Sequence, residues 1–186
     1  LHFKGGTVNG NVASVNYDSA PGKQARIFIT GGYVTGTLGT YTYNNGLVPT
    51  KETAMATVEV TGGTFVGFDP ANNKAEGENT SFVPAGYVST KGVDGNFVVT
   101  EVKVAEANGV AYATLSEAIA AANAGDTVKL LRDINTPEIS YMISKSLTID
   151  LNGMTVTGSG YDAVFQIDNA DAKVVIKNGK VVAVEQ

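Results

Sequence analysis

The feature that most constrains this chain is a ten-residue unit that recurs along it. Val58 to Gly67 reads V-E-V-T-G-G-T-F-V-G, Leu1 to Gly10 reads L-H-F-K-G-G-T-V-N-G, and Ile27 to Gly36 reads I-F-I-T-G-G-Y-V-T-G. A looser copy, V-V-I-K-N-G-K-V-V-A, runs from Val174 to Ala183. All four carry apolar residues at positions one, three and eight and glycine at position six. A unit of this kind buries its apolar set only by stacking on its neighbours, so the expected architecture is a solenoid. The first three copies start 26 and then 31 residues apart. That is too short for a helical crossover and suits turns of two or three short strands. Alternation at Ile27, Phe28, Ile29 and at Val58, Glu59, Val60 sends one side-chain set inward. Each strand then pairs in parallel with its counterpart one turn away. The glycine pair serves a corner that is either crowded or at positive φ. The stretches 11–25 and 37–56, richer in Asn, Gly, Thr and Tyr, read as loops.

The repeat stops near Phe68. F-D-P-A-N-N-K-A-E-G-E-N-T-S-F has no period, and Asp94-Gly95 between two β-rich runs predicts a hairpin that closes the last strand edge. From about Val104 the period changes. Thr114-Leu115-Ser116-Glu117 fits a capping box, and Leu115, Ala118, Ile119 and Ala122 fall at helical spacing. The spacing predicts a short helix over about 114–124 that Gly125 ends as the residue after the cap. Short strands are expected at 127–131, 147–151 and 174–176, with further pieces at 154–156 and 164–167. Gly153 and Gly179 repeat the 26-residue spacing. The domain reading is 1–68, a connector with a hairpin at 69–104, and a second module at 105–186, with the helix covering the open end of its core.

Composition narrows the partners. With 43% hydrophobic and 17% charged residues the chain is that of a packed protein, and 22 glycines without a G-X-Y period belong to corners. A net charge of −5 without a Lys/Arg cluster argues against nucleic acid and anionic lipid. The absence of cysteine excludes disulfides, thiol catalysis and thiolate metal sites. No apolar run is long enough to span a membrane as a helix. The chain opens inside a repeat copy, which is the expectation for a fragment of a longer protein.

A-T-L-S-E-A-I-A-A-A-N-A-G-D-T-V-K-L-L-R-D followed by K-S-L-T-I-D-L-N-G-M-T-V-T-G resembles the start of a right-handed parallel β-helix of the pectin-lyase-like class, as found in surface and secreted proteins of gut bacteria. The V-T-G-G-T-F copies resemble rungs of the same class. The connector and G-Y-V-S-T-K are similar to joints between such helices, there and in phage-associated fibre proteins. The resemblance implies an all-β fold: a right-handed parallel β-helix solenoid of two modules, with one capping α-helix. It implies an extracellular module of a bacterial surface protein, structural or adhesive rather than enzymatic, whose partner is a surface glycan or a host or bacterial surface protein. A polysaccharide lyase or hydrolase and a phage fibre component are the alternatives. Oligomeric state is left open.

Candidate chemistry is thin. The only arginines are Arg26 and Arg132 and the only histidine is His2, none beside an Asp-Asp pattern, so they read as surface residues and no catalytic set is assigned. A carboxylate pair for glycoside hydrolysis needs a separation of roughly 5–9 Å. Glu59 points outward alone, whereas Asp150 and Asp168 can lie on neighbouring turns. For sugar contact the candidates are Tyr33, Tyr41 and Tyr43, with Tyr41 and Tyr43 on one face of an extended T-Y-T-Y-N-N. Asp69, Asn72, Asn73 and Glu76, with Glu78, form an oxygen-rich loop of the kind that takes Ca²⁺, read against an Asx-turn connector. No other cofactor is expected, and no phosphate-binding glycine loop exists.

Overall fold

The computed structural model describes residues 1–16, 25–42, 56–72, 80–135, 140–159 and 163–184. The protein is mostly β, and it divides into two compact units, Leu1–Val102 and Lys103–Gln186.

In the first unit the repeat copies form the strands. They are β1 (His2–Phe3), β2 (Thr7–Val8), β3 (Val12–Asn16), β4 (Arg26–Val34), β5 (Leu38–Thr42) and β6 (Thr57–Phe65). His2 pairs with Phe28, Thr7 with Tyr33 and Val12 with Leu38, all in parallel, so two separate ladders share the 26-residue offset of the repeat. β4 and β6 pair in parallel with Ile27 opposite Val58 and Val34 opposite Phe65, which is the 31-residue offset. Strand register and sequence period therefore agree. The loops expected at 11–25 and 37–56 are corrected in part, because β3 and β5 lie inside them and pair with each other. V-A-S-V-N and L-G-T-Y-T carry little strand signal alone. Their partner one copy away supplies the ladder, with Leu38 and the small Ser14 buried on the inward face.

The glycine pair divides its work. Gly6, Gly32 and Gly63 hold φ of +86°, +94° and +110°, where a Cβ is strained. Gly31 and Gly62 are crowded instead: a Cβ there would lie 2.6 Å from the Lys4 carbonyl oxygen and 2.5 Å from that of Thr30. Inward positions one, three and eight of the copies build the core. Ile27, Ile29, Val34, Val58, Val60 and Phe65 are all buried in one cluster with Leu38, Phe82 and Val99.

The hairpin forms as β7 (Tyr87–Lys91) and β8 (Phe97–Glu101). Its turn holds Gly95 at φ +82°, and Asp94 Oδ1 accepts from the Asn96 N–H at 3.1 Å. β8 pairs antiparallel with Gly63–Phe65 alone. The other half of β6 is met by a different segment, where the Val60 N–H donates to the Phe82 carbonyl at 2.8 Å. Residues 80–102 of the expected connector thus count in the first unit.

The second unit opens with β9 (Ala105–Ala107), β10 (Val110–Tyr112) and α1 (Leu115–Ala121), followed by β11 (Thr127–Leu130), β12 (Ile134–Asn135) and β13 (Tyr141–Ile143). Next come β14 (Leu147–Asp150), β15 (Thr155–Ser159), β16 (Phe165–Ile167), β17 (Val174–Lys177) and β18 (Lys180–Val184). The order of pairing is cyclic. β11, β14 and β17 form one parallel ladder, β12, β15 and β18 a second, and β13 and β16 a third, so the chain visits the three in rotation. β9 closes the β11 edge in antiparallel register. Leu130, Ile134, Ile143, Leu147, Ile149 and Val156 are buried within this unit's own core.

The capping box of α1 is present in full: Thr114 Oγ1 accepts from the Glu117 N–H at 3.1 Å, and Glu117 Oε2 from the Thr114 N–H at 3.0 Å. Leu115, Ala118 and Ile119 face inward. The C-terminus is corrected. The helix stops at Ala121, the cap is Ala122 in an extended conformation, and Gly125 at φ +91° belongs to the next turn. Lys145 closes the helix end instead, its ammonium donating to the Ala120 carbonyl at 2.9 Å and to that of Ala122. Gly179 fits the crowded form of corner expected for the repeat. The positive φ values of the later corners fall on Asn152, Gly153 and Asn178, while Gly179 is needed because its Cβ would lie 2.3 Å from Leu151 Cβ.

Candidate functional site

Position two of the repeat points away from the core. In register it stacks His2, Phe28 and Glu59 across β1, β4 and β6. The His2 and Phe28 rings lie 4.8 Å apart at a 40° tilt. Two residues earlier on the same face, Arg26 pairs with Thr57, which places a guanidinium-bearing residue diagonally across from Glu59. The segment 81–84 runs beside the start of β6, with Phe82 buried and its backbone tied to Val60 and Pro70. Between this wall and the ladder lies an open groove of about 350 Å³, lined by Arg26, Phe28, Thr57, Glu59 and Ser81–Pro84. An aromatic face beside one cation, one carboxylate and hydroxyls can stack on an apolar ring face and hydrogen-bond its polar rim. Sequence reading passed over this site, setting Arg26 and Glu59 aside as isolated surface residues. The signal was available: reading down position two across aligned copies, rather than along each copy, brings the residues together.

The tyrosine candidates separate. Tyr33 lies on β4 and Tyr41 on β5, in different sheets, at 36% and 41% exposure. Tyr43 lies outside the described residues. Of the oxygen-rich loop, Asp69 Oδ1 accepts from the Ala71 N–H at 3.0 Å, an Asx turn, and the Asp69 carbonyl accepts from the Asn72 N–H at 3.1 Å. Asn73, Glu76 and Glu78 lie outside the described residues. Among the described residues no three His, Asp or Glu side chains converge to hold a cation.

Asp150 and Asp168 are not brought together as ladder partners. Asp150 sits on β14, in register with Lys129 and Lys177, whereas Asp168 follows β16 in another ladder, its N–H donating to the Ile143 carbonyl. Asp150 is also fully engaged. The Asn152 N–H at 3.0 Å and the Asn178 amide at 3.1 Å, then Lys177 at 3.8 Å, hold its carboxyl below the usual carboxylate range. A carboxylate so held is a poor proton donor near neutral pH, the reverse of what a glycosidase acid requires. Asp126 is held low in the same direction, first by the Asn108 amide at 2.8 Å and then by the Asn123 N–H. Both acids organise corners.

No helix among the described residues is long and apolar enough to cross a membrane. Compared with family models, with curated proteins and with solved structures, the chain matches none.

Proposed function

We propose that this chain is a pair of right-handed parallel β-helix segments serving as a structural and adhesive module of a bacterial surface protein, with a glycan as the ligand of its outer face. The observation that carries the reading is the agreement of ladder offset with sequence period in the first unit, joined to the cyclic order of three ladders in the second. Stacked parallel turns make a stiff body with a repetitive outer surface, suited to holding a binding face away from its anchor. The groove of Arg26, Phe28 and Glu59 supplies the sugar-contacting chemistry, and Tyr33 and Tyr41 are secondary platforms. The non-enzymatic reading is supported by the engagement of Asp150 and by its separation in register from Asp168.

The test is a panel of plant, host and bacterial polysaccharides incubated with the protein and scored for protein retention and for released sugar ends. Retention without release is the expected result. Phe28→Ala should weaken retention by about tenfold, equivalent to roughly 1.4 kcal/mol of lost stacking and contact. Tyr41→Ala should weaken it less. Release of sugar ends would replace the reading with a polysaccharide-active one.

A further inference from the structure

S-Y-M-I-S, from Ser140 to Ser144, alternates as a strand should: Tyr141 and Ile143 are buried, while Met142 is 59% exposed. Its backbone alternates as well. The Tyr141 N–H donates to the Val164 carbonyl and the Ile143 carbonyl accepts from the Asp168 N–H, so both residues spend their polar groups on the β16 side. The N–H and C=O of Met142 therefore point the opposite way along the stack. There α1 stands in place of a preceding strand, and the Met142 backbone has no hydrogen-bond partner among the described residues. In the same turn the edge of β11 is closed by β9.

Between α1 and β13 runs a groove of about 480 Å³, lined by Ser116, Ile119 and Ala120 of the helix and by Ser140, Met142 and Ser144 along the strand, with Lys145 beside them. A sheet edge of this kind is completed by an extended chain, whose own N–H and C=O groups alternate at the same spacing. A sugar fits it less well, since none of the lining residues offers an aromatic face. Lys145 is the one ionisable side chain among them. Two of the three N–H groups of its ammonium go to the Ala120 and Ala122 carbonyls, which leaves the third for a ligand. Asp126 feels the Lys145 charge, but its carboxylate is bonded to Asn108 and Asn123 and does not line the groove.

We propose that this groove binds an extended peptide, laid parallel to β13 on the Met142 edge with a carboxylate at Lys145. The direction follows from the ladder, because β13 pairs with β16 in parallel and Lys145 lies just past the C-terminal end of β13. The carboxylate is either the C-terminus of the peptide or an acidic side chain near it, and the ammonium bonds both alike. The site belongs to the second unit and does not depend on sugar binding at the groove of Arg26, Phe28 and Glu59.

The experiment is a titration of the full chain, labelled with ¹⁵N, with a short N-acetylated peptide of alternating valine and threonine. The peptide is used as the free acid, as the C-terminal amide, and as the amide with glutamate in last place. The Met142 and Ser144 amides should shift saturably with a charged peptide, and the neutral amide should bind at least about tenfold more weakly. Saturation by the free acid alone identifies a chain terminus as the ligand, saturation by the glutamate peptide alone an acidic side chain, and each supports the proposal. Met142→Pro removes an N–H that the fold does not use, so the protein should fold and lose binding. Ala120→Glu sets a rival carboxylate beside Lys145 and should weaken the charged peptides at least about tenfold, whereas Ala120→Gln should keep them within about threefold of wild type. No saturable shift, equal binding of the neutral amide, or a folded Met142→Pro protein that binds like wild type overturns the proposal. If Met142→Pro does not fold, the Ala120 pair decides, and equal effects of Glu and Gln overturn it. Shifts of these amides with a polysaccharide and not with the peptides would make the groove a sugar site and overturn it too.

Discussion

At Gly62 an added Cβ would sit 2.5 Å from the Thr30 carbonyl oxygen, inside any real contact distance. β6 is held between β4, paired in parallel, and β8, paired antiparallel, which leaves the backbone little freedom to retreat. Gly62→Ala should therefore cost about 1–3 kcal/mol, the range for overpacking, seen as a shift in the urea midpoint of the first unit. The acids at the corners of the second unit give a pH dependence. Asp150 and Asp126 bind protons more weakly in the folded protein than their ordinary value. The unfolded chain then takes up more protons in acid, so stability rises with pH there. It is fully present above the ordinary carboxylate value and is lost as pH falls through the lowered folded ones. Urea midpoints of wild type should fall between about pH 6 and pH 3, and Asp150→Asn should fall less steeply. An equal slope in the variant would remove Asp150 from this role. These residues were half legible in the sequence. Position six of the repeat announced a corner, but which glycine is crowded and which is at positive φ depends on the copy beneath it.

Among the elements, α1 separates what local sequence encodes from what it leaves to the fold. Its start is written within four residues, Thr114 to Glu117, and the capping box forms as the spacing predicts. Thr114→Ala should cost about 1 kcal/mol, detectable as a lower melting temperature of the second unit. Its end is not local. Lys145, more than twenty residues on, donates to the last carbonyls, so the nearby Gly125 misled the reading. Lys145→Met, which keeps the aliphatic stem, should destabilise by roughly 0.3–1 kcal/mol through the loss of a cation at a helix C-terminus. Hydrogen exchange should quicken at the amides of the last turn, and unchanged protection there would deny Lys145 the capping role. β3 and β5 make the same point for strands. Neither announces itself alone, and each is stabilised by pairing with the other across 26 residues.

Over the whole molecule, each unit closes a separate core, one built on Ile29, Val60 and Phe65 and the other on Leu130, Ile149 and Val156. Truncation in one should be felt there first. Ile29→Ala should lower the stability of the first unit by about 2–5 kcal/mol. Exchange protection on β11, β14 and β17 should stay at the wild-type level, and a parallel loss there would show one cooperative body. The offset of the first unit carries a consequence of another kind. The β4–β6 step is five residues longer than the β1–β4 step, yet both ladders keep the apolar positions of the repeat opposite one another. The added length falls between Thr42 and Thr57, after β5 has ended and before β6 begins. Lineages carrying this repeat can therefore gain or lose residues at that junction without renumbering the rungs. The same junction is the natural place to graft a foreign peptide for display.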